Sequence, residues 1–160
     1  VEGADRSELI RCAALTCLHD DTPEGKSTLE LARRMGDNST ETPGSNFIEF
    51  TAQTRMSGVD LPNGTKIRKG AAEAIENYVK EQGGQIPKNL REEVEKISSL
   101  GGTPLTVCEN NRILGVIYLK DTVKAGIAER FERLRAIGIK TIMCTGDNPL
   151  TAATICSDMR

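Results

Sequence analysis

The spacing of apolar positions changes several times along the chain, and each change marks a candidate element. Over Ser7 to Leu18 they fall at Ile10, Ala13, Ala14, Cys17 and Leu18, the spacing of an amphipathic helix, with Asp5 or Ser7 placed to cap its start. His19 to Gly25 (H-D-D-T-P-E-G) breaks that pattern with carboxylates and reads as a loop, after which Ser27 to Met35 is helical again and stops at Gly36. Asp37 to Asn46 has the composition of a surface connection. From Phe47 the period becomes two. Phe50, Ala52 and Met56 precede a Leu61-Pro62-Asn63-Gly64 turn and Ile67 follows it. This predicts a long hairpin whose second strand runs into Lys69-Gly70 and then into a helix from Ala71 to Gln82.

Another helix is expected over Pro87 to Leu100, with proline in its first turn and Gly101-Gly102 behind it. Leu105 to Glu109 and Arg112 to Leu119 predict a second hairpin about Glu109-Asn110-Asn111. At about Lys120 the pattern changes again. Ile127, Phe131, Leu134 and Ile137 form a helical stripe that Gly138 ends, Ile139 to Cys144 is a short apolar strand, and Thr145-Gly146-Asp147-Asn148 leads into a helix near Pro149. The fold class expected is α+β, a mainly antiparallel sheet with helices packed on it, turning α/β at the C-terminal end.

A length of 160 residues fits one domain, or one domain with a fragment of a second. With 38% hydrophobic residues, 3% aromatic and no Trp, the core must be aliphatic. The formal charge of −2 is spread over interspersed residues of both signs, which argues against nucleic acid as a partner. No apolar run approaches the ~20 residues that span a bilayer, so a soluble piece without membrane contact of its own is expected. The five cysteines are odd in number and form no C-x-x-C pair, which argues against a disulfide framework and a metal site and for reduced thiols of a cytosolic protein.

Several residues carry two readings. Lys69 is either a solvated strand-end lysine or, with the bare backbone of Gly70 at a helix start, part of an anion-binding corner. Phe50 is either a core aromatic or a ring free to stack on a base. Asp20, Asp21 and Glu24 read by themselves as solvated surface, and T-G-D-N as an ordinary capped turn at the carboxyl end of a strand, where open α/β sheets place their ligands. His19 has no second imidazole or cysteine cluster beside it and reads as a polar residue at a helix end.

T-P-E-G at Thr22 to Gly25, F-T-A-Q-T-R-M-S-G at Phe50 to Gly58, R-K-G-A at Arg68 to Ala71, G-V-I-Y-L-K-D at Gly115 to Asp121 and T-G-D-N at Thr145 to Asn148 occur in one order. Together they resemble the P-type ATPases, and within them the Kdp potassium-transporting subfamily. The resemblance covers nearly all of the chain. It implies a nucleotide-binding domain over residues 1–119 and the returning half of a Rossmann-like phosphorylation domain over 120–160. The implied ATP-binding residues are Asp20, Glu24, Phe50, Thr51, Gln53, Arg55, Met56, Ser57, Lys69 and Gly70, with Phe50 stacking on adenine and Glu24 accepting from its amine. Thr145, Gly146 and Asp147 would face phosphate, and Asp121 and Lys124 match a less distinctive motif.

In that family the γ-phosphoryl of ATP passes to an aspartate in D-K-T-G-T, and Mg²⁺ is held partly by G-D-G-x-N-D. Neither string occurs here, so catalytic residues and metal ligands are expected elsewhere, and this piece is expected to bind ATP without hydrolysing it. The implied partners are the rest of the pump's catalytic subunit with its potassium-channel-like and accessory subunits, on the cytoplasmic side of a bacterial inner membrane. A half-sheet at the C-terminal end would expose an apolar edge. A nucleotide sensor or interaction module, the same domain of a heavy-metal pump, and a free-standing phosphatase of the superfamily are the alternatives; the last lacks a D-x-D-x-T nucleophile motif.

Overall fold

A computed structural model describes residues 1–120, 126–142, 144, 153 and 156. Asp121, Lys124 and Thr145-Gly146-Asp147-Asn148 lie outside the described residues; of the helix expected from Pro149, Ala153 and Cys156 are described and both are helical. The elements in order are α1 (Arg6–Cys17), α2 (Pro23–Arg34), β1 (Asn46–Ile48), β2 (Met56–Asp60), β3 (Lys66–Gly70), α3 (Ala72–Glu81), α4 (Leu90–Ser99), β4 (Gly102–Glu109), β5 (Arg112–Lys120) and α5 (Ile127–Ala136). The strands form one sheet in the order β1-β2-β3-β4-β5. The first three neighbouring pairs are antiparallel, and a two-residue turn joins β4 to β5. This is the α+β architecture expected.

Two expectations for local structure are corrected. T-P-E-G is not loop but the first turn of α2. Thr22 is its N-cap, its hydroxyl accepting from the Gly25 N–H at 3.1 Å, and Pro23 takes the first helical position, where its missing N–H costs nothing. The long first strand of the hairpin is in fact two short ones. β1 ends at Ile48, the chain turns through Glu49 to Arg55, and β2 begins at Met56 and folds back on β1 with Phe47 opposite Val59. Phe50, Ala52 and Gln53 therefore sit on a turn, where their alternation has no structural meaning. That turn is closed locally: Thr51 Oγ1 accepts from Thr54 N at 3.1 Å, Thr51 C=O accepts from Arg55 N at 2.8 Å, and Arg55 takes φ 51°.

The chain divides into two compact units, Val1–Glu93 with Leu105–Ile117, and Val94–Pro104 with Tyr118–Arg160. In the first, α1 packs against α2 and against β2 and β3. Cys12, Ala13 and Leu15 meet Val59, Ile67, Val107 and Leu114 in an aliphatic core. Burying each large side chain there contributes about 1.5–3 kcal/mol. Because α1 has neighbours on more than one side, all of Cys12 to Cys17 is buried, where the apolar spacing alone would leave one face wet. Ion pairs Arg11–Glu109, at 2.8 Å, and Arg112–Glu8 pin α1 to the β4–β5 turn.

In the second unit, Gly102 lies under the Tyr118 ring, which occupies the space its Cβ would need. The expected stripe of Ile127, Phe131, Leu134 and Ile137 runs along α5 to its C-cap, Ile137, and Gly138 follows with φ 83°. None of its residues is buried, and Ile137 is 74% exposed. The strand expected over Ile139 to Cys144 is not formed at Ile139–Ile142 or Cys144. Among the described residues no strand lies beside it, and an unpaired strand has no ladder partners for its backbone groups.

Candidate functional site

The register of β2 on β3 decides which motif residues share a face. Ser57 lies opposite Lys69 and Val59 opposite Ile67 on the face that receives α1, while Met56 lies opposite Gly70 and Gly58 opposite Arg68 on the other. Lys69 therefore points toward the α1–α2 junction, and it is 4% exposed. Its ammonium meets Asp20 Oδ2 at 2.8 Å and Cys17 Sγ at 3.0 Å. Asp20 Oδ1 in turn accepts from Thr22 Oγ1 at 2.6 Å and from Thr22 N at 3.2 Å. Two residues 49 positions apart in sequence thus form one ion pair, its lysine buried and its aspartate half-buried.

The electrostatics follow from that geometry. Burial pulls the Lys69 ammonium toward neutrality, but the Cys17 sulfur and the Asp20 carboxylate outweigh it and hold its pKa above the ordinary value. Burial likewise opposes the Asp20 carboxylate, and the hydrogen bonds from Lys69 and Thr22 overcome it, so its pKa lies below the ordinary range. Both members stay charged at neutral pH. Gly25, in the first turn of α2, makes the pair possible, since a Cβ there would overlap the Asp20 carboxyl group.

Gly70 was expected to offer bare backbone to a ligand, and it does admit a close approach. What approaches is the chain's own backbone at Arg55 and Met56, which fills the space of a Gly70 Cβ. The Arg55 carbonyl accepts from Ala71 N at 3.1 Å, so the left-handed residue that closes the 49–55 turn also ties it to the end of β3. Arg55's guanidinium reaches Glu73 at 3.3 Å on the surface.

The remaining expected residues are open to solvent. Phe50 is 62% exposed, an unusual position for one of only three phenylalanines, and Thr51 and Gln53 are exposed beside it. Glu24 is exposed in the first turn of α2. The structure thus joins Asp20 with Lys69 and sets Ser57 across from Lys69, while Arg55 and Met56 close on Gly70. Phe50, Thr51, Gln53 and Glu24 remain at the surface. Thr145, Gly146 and Asp147 lie outside the described residues.

Sequence reasoning gave no role to Cys17, nor to Thr22, Gly25 and Arg68, although the last three lie in the T-P-E-G and R-K-G-A motifs. Cys17 looked like one more apolar helix position, and nothing in its spacing foretells a lysine. Arg68, beside Lys69 but on the opposite face, is 7% exposed, pairs with Asp60 at 2.7 Å and lies 5.4 Å over the Tyr78 ring. The one available signal for it was alternation, which sends consecutive strand residues to opposite faces. His19, expected as a helix-end polar residue, stacks on Phe47 with ring centroids 4.0 Å apart and pairs with Glu41 at 2.8 Å. Among the described residues no three His, Cys, Asp or Glu side chains form a metal-sized cluster, and no helix is long and apolar enough to cross a membrane.

A family model described as a haloacid dehalogenase-like hydrolase matches residues 7–159. The chain is 59% identical over 160 residues to the potassium-transporting ATPase ATP-binding subunit of Clostridium acetobutylicum, covering 99% of this chain and 23% of that protein. It is 58% identical over 158 residues to potassium-transporting ATPase ATP-binding subunit 2 of Listeria innocua, covering 97% and 23%. The corresponding subunit of Deinococcus radiodurans is 54% identical over 156 residues, covering 98% and 23%. Among solved structures, a zinc-transporting PIB-type ATPase in its E2·Pi state superposes with a TM-score of 0.62 at 23% identity, over 99% of this chain and 24% of that one. At that identity the fold is what the two share. The chain spans about a quarter of the length of these relatives, and the resemblance read from its motifs is borne out by them.

Proposed function

The chain belongs to the haloacid dehalogenase-like hydrolase family, and on that premise we propose that it is the ATP-binding part of a potassium-transporting P-type ATPase. In this reading residues 1–119 are the nucleotide-binding domain and 120–160 part of the phosphorylation domain. The observation that carries the reading is a convergence of motif residues. Asp20 and Lys69 meet in one ion pair, Ser57 faces Lys69 across the sheet, and an aromatic ring stays bare at Phe50 in a protein otherwise poor in aromatics.

The donor set fits a nucleoside better than a triphosphate. Phe50 offers a ring for stacking, Glu24 an acceptor for an exocyclic amine, and Ser57, Gln53 and Thr51 polar contacts. Lys69 shares its charge with Asp20 and keeps one N–H for a ligand, and the Gly70 backbone is covered by Arg55 and Met56. These residues would hold the base and leave the phosphates free for an aspartate elsewhere in the catalytic subunit. In this reading Thr145, Gly146 and Asp147, outside the described residues, are the candidates for phosphate contact. Carboxylates elsewhere in the catalytic subunit would hold Mg²⁺, which would supply charge neutralisation during phosphoryl transfer. The chain itself binds ATP and does not hydrolyse it.

As part of the whole enzyme it works at the cytoplasmic face of a bacterial inner membrane with potassium-channel-like and accessory subunits. Potassium rests on the names of the relatives, and the zinc pump contributes the fold alone. The test is an ATP titration followed by amide NMR shifts on the native chain and on Phe50→Ala. ATP should move residues of the Glu24 turn, the 50–57 stretch and Lys69-Gly70 together, and the substitution should weaken binding by about 1–3 kcal/mol, some 5- to 150-fold. Amides unmoved by millimolar ATP overturn the reading in favour of an interaction module.

A further inference from the structure

Building on the nucleotide-pocket reading above, we propose that Asp20 is a positioning residue, which fixes the Lys69 ammonium for the ligand without touching the nucleotide, and that Thr22 and Gly25 hold Asp20 in place. Both oxygens of the Asp20 carboxylate are already engaged within the chain. Oδ2 accepts from Lys69 at 2.8 Å, and Oδ1 accepts from the Thr22 hydroxyl at 2.6 Å and the Thr22 N–H at 3.2 Å. Its side chain is 18% exposed. An oxygen bonded twice inside the fold is poorly placed to accept again from an adenine amine.

Lys69 is in the complementary state. An ammonium has three N–H groups in fixed tetrahedral directions, and two are spent on Asp20 and Cys17. One remains. A lysine side chain free to turn about four bonds loses that freedom when it binds, and a partner that orders it beforehand removes the loss from the binding step. Asp20 provides that order, and it is itself ordered. Thr22 holds one carboxylate oxygen by its hydroxyl and N–H while capping α2, and Gly25 leaves the space that the carboxyl group fills. The T-P-E-G stretch and the K-G pair are then two halves of one device, the first placing an anion and the second the cation it steadies.

The test uses the 160-residue chain with isotope-labelled lysine, reading the Lys69 ε-CH₂ signal by NMR without ligand and ATP affinity by titration. The variants are Asp20→Asn, Lys69→Met, the double variant, and Gly25→Ala. Asp20→Asn should shift the Lys69 signal and weaken ATP binding about tenfold, but add less than about twofold on Lys69→Met, because a residue that acts through Lys69 has nothing to act on once Lys69 is gone. Gly25→Ala keeps every charge and places a better helix former in α2, and it should still shift the Lys69 signal and weaken binding. That variant decides the matter if Asp20→Asn fails to fold.

An Asp20→Asn cost as large on Lys69→Met as on the native chain overturns the proposal in favour of direct contact, as does a Gly25→Ala chain with native Lys69 signal and native affinity. A native chain that binds no ATP, while its Lys69 signal still shifts on Gly25→Ala, overturns the pocket reading separately.

Discussion

The Lys69 corner, on β3, and the Phe50 turn, between β1 and β2, are expected from the motifs to line one pocket, yet they are built by opposite means. At the corner a charge is buried, ion-paired and ordered by the fold itself. At the turn an aromatic ring is held out of the core on a loop closed by its own threonines. A buried ammonium must meet its counter-ion when the chain folds, or its desolvation goes uncompensated. A ring needs only to be kept bare until a flat ligand covers it. Stability is therefore concentrated at the first region, and ligand binding depends on both.

The strongest way to break that contrast is Asp20→Ala, which leaves the Lys69 charge buried without its partner. It should cost about 3–5 kcal/mol in urea unfolding, and a cost below 1 kcal/mol would mean the pair is not a fixed part of the fold. Gly70→Ala comes next. Its Cβ must displace the Arg55–Met56 backbone, and a loss of about 1–3 kcal/mol is expected from the same experiment.

A smaller effect follows from pH. Asp20 has its folded pKa lowered, so its contribution is complete above the unfolded value of about 3.9 and is lost as pH falls through the folded one. Lys69 has its folded pKa raised, so its contribution is complete below the unfolded value of about 10.4 and is lost as pH rises through the folded one. The share of the urea midpoint that Asp20→Ala removes should be level between those limits and shrink beyond both. The smallest change is Phe50→Ala, which should move stability by less than about 0.5 kcal/mol while weakening ATP binding, the reverse of what a core phenylalanine would do.

Much of the fold was legible because it rests on local chemistry. The α1 stripe, the Asn-Gly turn with Gly64 at φ 86°, the Gly83-Gly84 stop after α3 and the β4–β5 hairpin stand where spacing and turn residues put them. The errors came where a local pattern had two readings. Phe50 to Met56 alternates like a strand, but the chain turns there, and only the pairing of Phe47 with Val59 reveals it. The T-P-E-G stretch looked like a loop because its proline and carboxylates were read as breakers, when proline at the first helical position and an acid in the first turn are starters.

At the site, residue types were legible and their partnerships were not. Asp20 and Lys69 could each be singled out, but the ion pair between them depends on how α1 lies on β3, and no spacing encodes that. Gly25 and Gly70 carried a signal, since glycine inside an element asks what comes close. The answer in both cases was the protein itself.

The bare ring at Phe50 gives this chain a use beyond the chemistry it supports. A protein without tryptophan has no indole emission of its own. Phe50→Trp would put a single fluorophore on a surface turn, with no core to repack around the larger ring. Its colour and brightness would then report who is sitting on it, one molecule at a time, so that the pocket becomes its own gauge of occupancy.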